Sequence, residues 1–144
     1  MEEKIINILL VEDDEIDIMN VKRAFKKGNI KNPLYVAENG LEALAMLRSQ
    51  NGKNPIVPPV RRLVLLDLNM PKMNGLEFLH TLRADPELKP TPVIVLTTSD
   101  EDRDKVEAYN FNVAGYILKP VTFTNFAHLM VILNNYWALS EMPS

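Results

Sequence analysis

The 144-residue sequence has no cysteine, which excludes disulfides, thiolate metal sites and cysteine nucleophiles. Its only two histidines, His80 and His128, both fall in stretches that read as helix. An imidazole-built zinc site has little to draw on. No apolar run approaches the ~20 residues of a membrane span. The opening Met1-Glu-Glu-Lys-Ile-Ile is acidic first and apolar only briefly, unlike a secretory signal. A cytoplasmic location is the expectation. Glycine is scarce, five residues in all. None forms the glycine-rich turn of a dinucleotide fold, and GxxxxGK[ST] is missing, so NAD, FAD and P-loop nucleotide readings fall away. Neither sign of charge dominates: 16 Lys and Arg stand against 19 Asp and Glu, a net of -3. The concentrated basic patch of a nucleic-acid binder is absent. The densest basic group, Lys22, Arg23, Lys26 and Lys27, recurs at helical spacing. It reads first as a solvated helix face, and second as a docking patch for an acidic partner.

What is present is alternation. Ile5 to Val11 is a short apolar run broken by Asn7, followed by three acids and then Ile16, Met19, Val21 and Phe25, a spacing that predicts a helix ending near Gly28 or Asn29. Pro33 to Ala37 reads as a second strand. Glu38-Asn39-Gly40 is a turn, and Leu41, Leu44, Ala45 and Leu47 recur as a helix would place them. Asn51 to Pro59, rich in Pro and Asn, reads as a long surface loop. Leu63 to Leu66 ends at Asp67 and has the unbroken apolar character of a strand covered on both faces. Asn69 to Gly75 is a loop, and Leu76, Phe78, Leu79 and Leu82 carry the next helix. Pro92 to Leu96 is a fourth strand, Asp100 to Asn110 a charged helix, and Gly115 to Leu118 a fifth strand. Thr122 to Leu139 closes the chain as a helix bearing Phe123, Phe126, Leu129, Met130, Leu133, Tyr136 and Trp137. The expected fold is a single α/β domain of five βα units: a doubly wound, three-layer sandwich around a parallel sheet. The length fits one domain.

Polar residues follow the apolar strands at one edge. Glu12, Asp13 and Asp14 follow strand one, Asp67 ends strand three, Thr97, Thr98 and Ser99 end strand four, and Lys119-Pro120 ends strand five. All lie at the carboxyl edge of a parallel sheet, where ligands bind at a switch in strand order. In the order 2-1-3-4-5 the acids of strands one and three converge, with Thr97 and Lys119 approaching from the neighbouring strands. Clustered carboxylates repel unless one is protonated or a cation intervenes. Oxygen ligands without histidine favour hydrated Mg²⁺. Glu12, Asp13 and Asp67 are the expected ligands, with the backbone carbonyl of Asn69 as another. Asp67 is the expected nucleophile for a phosphoryl group. Lys119, Mg²⁺ and the Thr97 hydroxyl would face its equatorial oxygens. Each segment has a plainer reading taken alone. Glu12-Asp13-Asp14 and Thr97 to Asp100 can be helix caps, Asp67 a strand end and Lys119-Pro120 a turn. Their convergence on one edge favours chemistry.

The chain closely resembles the receiver domains of two-component response regulators, from about residue 6 to 139. The resemblance lies in Ile8-Leu-Leu-Val-Glu-Asp-Asp14, Leu65-Leu-Asp-Leu-Asn-Met-Pro71 with Gly75, Val95-Leu-Thr-Thr-Ser99 and Gly115-Tyr-Ile-Leu-Lys-Pro120. It implies a flavodoxin-like (βα)5 fold with no output domain. It also implies an acid pair in Glu12 and Asp13, a phosphoacceptor in Asp67, a switch hydroxyl in Thr97 and an aromatic switch in Tyr116. Lys119 would be the family's lysine, Asn69 would give a carbonyl to Mg²⁺, and Asp14 would contact metal-bound water. Glu12 stands where Asp is common, and its extra methylene implies contact with the ion through water. Thr98 is bulkier than the small residue usual there, which bears on phosphate lifetime. The Pro-rich loop, Val-Leu-Thr-Thr-Ser and the Asn-Tyr-Trp ending are similar to stand-alone regulators that partner bacterial phytochromes and related sensor histidine kinases. That resemblance implies a histidine kinase partner and a homodimer through helix four, strand five and helix five.

The rival functions are a non-phosphorylated scaffold and an aspartyl-phosphate phosphatase. A phosphatase would normally have a second acid two residues past its nucleophile. That position is Asn69, so the expectation is a switch and not a turnover enzyme.

Overall fold

The structure is a computed structural model that describes residues 6–50, 52–68, 70 and 73–128. Five strands alternate with helices: β1 (Asn7–Val11), α1 (Glu15–Lys27), β2 (Leu34–Ala37), α2 (Gly40–Leu47), β3 (Arg62–Asp67), α3 (Gly75–Ala84), β4 (Val93–Thr97), α4 (Asp100–Ala108) and β5 (Gly115–Leu118). Residues 123–128 begin the closing helix. The rest of the helix expected from the sequence, with Leu129, Met130, Leu133, Tyr136 and Trp137, lies outside the described residues. The strands run parallel in the order β2-β1-β3-β4-β5. The doubly wound fold expected from the sequence is the one observed.

Period-two alternation divides the core. Ile8, Leu10, Leu63, Leu65, Ile94, Leu96 and Ile117 pack with Val21, Ala24 and Phe25 of α1 and Phe126 of the closing helix. Leu9, Val11, Val64, Leu66, Val93 and Val95 face the opposite way, onto α2, α3 and Val106 of α4. Each helix starts just past the carboxyl end of a strand, under a capping side chain. Asp14, Asn39, Asn74 and Ser99 accept backbone N–H bonds at the starts of α1 to α4, satisfying donors the first turn leaves open. The loops that carry the chemistry therefore end in fixed geometry.

One sequence expectation, the Pro-rich loop, needs correction, and two helices bury faces that apolar spacing alone does not pick out. On α1, Ile16 and Met19 are 70% and 47% exposed. The buried stripe is Val21, Ala24 and Phe25. On α2, Leu41 and Ala45 are exposed, and Ala43, Leu44, Met46 and Leu47 are buried. The Pro-rich loop is more than a surface loop. Val57 within it is fully buried. The buried Arg62 guanidinium donates to the carbonyls of Leu47, Val57 and Pro58 at 2.7–3.0 Å. By contrast, Lys22, Arg23, Lys26 and Lys27 are all exposed, as a solvated helix face requires.

Candidate functional site

The alternation that builds the core also aims the site. Glu12 continues the series Ile8-Leu10, Asp67 continues Leu63-Leu65, and Lys119 continues Ile117. All three leave the sheet toward α1. Thr97 and Tyr116 follow the opposite series, with Val93 and Val95, toward α4. The charged residues and the expected switch residues thus belong to opposite faces of one edge. They are joined through backbone: the Lys119 N–H donates to the Thr97 carbonyl at 2.8 Å.

Gly75 sets how closely α3 approaches the acid. A Cβ there would lie 2.6 Å from the Leu68 Cα and 2.8 Å from the Asp67 carbonyl oxygen. Its own N–H donates to the Leu68 carbonyl at 2.9 Å. On the other side, the Asn125 side chain donates to the carbonyls of Leu118 and Pro120 at 3.2 and 3.0 Å. It braces the loop holding Lys119, whose peptide bond to Pro120 is cis.

Lys119 Nζ is the hub. It lies 2.7 Å from Glu12 Oε2, 2.9 Å from Asp17 Oδ2 and 3.1 Å from Asp67 Oδ1. Only the contact to Asp17 has hydrogen-bond geometry; the other two are charge contacts. Burial works to lower the lysine's pKa, but the contacts to Glu12 and Asp17 and the charges of Glu12 and Asp67 outweigh it and hold the ammonium above its ordinary range. Glu12 is fully buried. Burial, reinforced by the charge of Asp67, pushes its carboxyl up to about 7 against the pull of Lys119 and of the Asp14 N–H. Its Oε1 accepts that N–H at 3.1 Å. Its Oε2 accepts no well-formed hydrogen bond among the described residues.

The acidic triplet after β1 divides its work. Glu12 turns into the site. Asp13 is exposed and offers a carboxylate oxygen within 4.8 Å of those of Glu12 and Asp67. Asp14 faces the helix instead, accepting from the N–H groups of Ile16 and Asp17 at 2.8 and 3.1 Å. Three converging carboxylates, one of them a buried glutamate with an oxygen that accepts no well-formed hydrogen bond among the described residues, fit a hard divalent cation.

Thr97 is buried at the end of β4. Tyr116 is half-buried on β5, with the Arg103 guanidinium 5.0 Å from its ring centre. Burial, with the charge of Glu107 and against that of Arg103, raises its hydroxyl above the ordinary range. Asn69 lies outside the described residues. His80 and His128 are exposed helix residues that contribute nothing to the site. Sequence reasoning missed Asp17. The signal was available: Asp17 stands four, seven and eight residues before Val21, Ala24 and Phe25, at the head of the buried stripe of α1.

The carboxylates and one ammonium gather at the carboxyl edge of a doubly wound sheet, where the ligand sites of this class of α/β protein lie. The family model for the response regulator receiver domain matches residues 8–130, and the chain belongs to that family. Response regulator Rcp1 of Synechocystis sp. (strain ATCC 27184 / PCC 6803 / Kazusa) is 35% identical over 130 residues, covering 90% of this chain and 87% of its own. The bacteriophytochrome response regulator AtBRR is similar in structure, with a TM-score of 0.78 and 37% identity over 96% of this chain and 99% of that one. The Mn(2+)-bound form of Rcp1 has a TM-score of 0.70 and 33% identity, over 99% of this chain and 100% of that one. The chain is a response regulator of a two-component phosphorelay.

Proposed function

We propose that Asp67 accepts a phosphoryl group from a sensor histidine kinase, in a reaction that depends on Mg²⁺, and that the resulting change in charge is the signal. A carboxylate oxygen of Asp67 forms the new O–P bond as the P–N bond of the phosphohistidine breaks. The imidazole leaves with the electron pair and takes up a proton. The observation that carries this reading is Lys119 Nζ held 3.1 Å from Asp67 Oδ1. A phosphoryl group spreads negative charge over its equatorial oxygens. A fixed ammonium at that distance already stands where the charge arrives. Glu12, Asp13 and Asp67 would hold Mg²⁺. The ion, when bound, offsets the charge of the transferring group. The buried Glu12 Oε2 and the absence of sulfur or imidazole ligands in the cluster favour this hard cation.

Thr97 ends β4 beside β5, where its hydroxyl would turn toward the new anion. Tyr116, on the same face, would follow it inward and away from Arg103. A partner kinase of the bacterial phytochrome type fits the likeness to AtBRR, named as a bacteriophytochrome response regulator. A cytoplasmic location accords with such a partner. Homodimerisation through α4, β5 and the closing helix is favoured by the exposed Leu118 on the edge strand and the partly exposed Phe123 beyond it.

Intact-mass measurement after incubation with acetyl phosphate tests the acceptor. Wild type should gain one phosphoryl group with Mg²⁺ and none with EDTA, and Asp67→Asn should gain none. An unmodified wild type, with turnover excluded by assaying released phosphate, would leave a scaffold as the better reading. Sustained phosphate release would favour a phosphatase.

A further inference from the structure

The Lys119 ammonium has three N–H donors, and three carboxylates stand around it at 2.7, 2.9 and 3.1 Å. Two of them, Glu12 and Asp67, belong to the cluster suited to a cation, together with Asp13. Asp17 does not. It sits in the first turn of α1, 102 residues from Lys119 in the chain, and receives the lysine's one hydrogen bond of good geometry, at 2.9 Å. A cation and a phosphoryl group held by Glu12 and Asp67 would compete with the lysine for those two carboxylates. Asp17 would be the acid left to it.

We propose that Asp17 is a positioning residue for phosphoryl transfer: it anchors the Lys119 ammonium from α1, so that the charge faces the oxygen arriving at Asp67. The proposal rests on the reading of Asp67 as phosphoacceptor. Three features give the anchor its rigidity. Asp17 lies one helical turn before the fully buried Val21. Its own backbone N–H is tied to the Asp14 cap at 3.1 Å. The lysine's main chain is tied to Thr97 and its loop is braced by Asn125. Both ends of the contact are therefore fixed. A four-carbon lysine stem without such a partner samples many rotamers. Misplacing a charge by about an ångström costs up to ~100-fold in rate.

The test is a time course of acetyl phosphate labelling by intact mass, at saturating Mg²⁺ and at a temperature where circular dichroism finds each variant folded. Asp17→Ala should lower the maximal rate constant by on the order of tenfold, with a smaller change in the half-saturating acetyl phosphate concentration. Asp17→Asn keeps an acceptor oxygen and should recover part of the loss. A double-mutant cycle separates positioning from a general structural role. If Asp17 acts through the lysine, Asp17→Ala should slow labelling little further in a Lys119→Gln background. An undiminished rate in Asp17→Ala, or an equal fractional loss in both backgrounds, would overturn the positioning role and leave Asp67 as acceptor untouched. No labelling of wild type would overturn the acceptor reading, and the inference with it.

Discussion

At the scale of single residues, Lys119 and Glu12 oppose each other in an instructive way. The lysine supplies the only cation in direct contact with Glu12 and Asp67 among the described residues. Its side chain is 11% exposed, against 1% and 7% for those partners, so solvent screens the contacts little. Removing one member of a buried pair costs ~3–5 kcal/mol, because the remaining charge is stranded. Lys119→Met should therefore lower metal-free stability by about 3 kcal/mol in urea denaturation, and added Mg²⁺ should restore part of it by replacing the lost charge. A loss too small to measure would mean that the lysine does not compensate the acids.

Glu12 gives a pH dependence of definite sign. Its carboxyl stands at about 7 in the folded chain against an ordinary 4.5. The folded state holds this proton more tightly than the unfolded state. The stability it contributes is complete below about 4.5 and is lost as pH rises through about 7. In EDTA, the urea midpoint should fall from about pH 5 to about pH 8 more in wild type than in Glu12→Gln. Stabilisation by Mg²⁺ should grow over the same interval, since the ion needs the ionised carboxylate. A wild-type midpoint with the same pH dependence as Glu12→Gln would contradict the buried, proton-holding role.

At the scale of elements, close approach and clamping do the positioning. Gly75 lets α3 start directly against the end of β3, where an added methyl group would meet backbone atoms. Gly75→Ala should cost about 1–3 kcal/mol in denaturant unfolding and also slow phosphorylation, because the displaced atoms include the Asp67 carbonyl. Arg62 offers the contrast. It begins β3 at the opposite edge and clamps the last carbonyl of α2 and two carbonyls of the Pro-rich loop. Arg62→Met should cost about 2–4 kcal/mol through stranded acceptors while the labelling rate of the folded protein stays near wild type. Equal effects of both substitutions on the rate would contradict the division between a chemical edge and a structural one.

The elements also explain what the sequence could and could not reveal. Strand ends were legible: an apolar run that stops at Asp67 marks a buried strand and its polar terminus, and the run that stops at Leu118 before Lys119 marks the end of the partly exposed edge strand. Helix faces were less so. Apolar spacing that included Ile16 and Met19 marked the helix but not its buried face, and the stripe of α1 begins with an acid, Asp17. A charged side chain can occupy a core-facing position when an ammonium from β5 meets it, and that partner is 102 residues away in the chain. Local periodicity has no access to a contact of that range. The buried Val57 escaped for a similar reason: the guanidinium that binds its carbonyl comes from β3, and the segment around it is rich in Pro and Asn.

At the scale of the whole molecule, the proposed function would use the carboxyl edge of the parallel sheet for chemistry and the faces around β5 for communication. Asp17 and Lys119 meet Asp67 on the α1 face, and Thr97 and Tyr116 lie on the α4 face, joined to that site by the Lys119 N–H bond to the Thr97 carbonyl. Addition of one phosphoryl group would thus be felt on both faces of the sheet. Leu118 is 63% exposed on the edge strand, and exposed apolar surface there suits contact with a second copy. Leu118→Arg should shift the protein toward monomer in sedimentation equilibrium while leaving acetyl phosphate labelling intact. An unchanged association state would place any dimer contact elsewhere.

The central claim is that one carboxylate, Asp67, carries the phosphoryl group. Borohydride reduction tests it most directly, since it converts an acyl phosphate to an alcohol at the modified residue alone. After Mg²⁺-dependent labelling, peptide mass spectrometry should find homoserine at position 67, with Glu12, Asp13 and Asp17 unreduced. Reduction at one of those acids in place of Asp67, or at none in a labelled protein, would contradict the account.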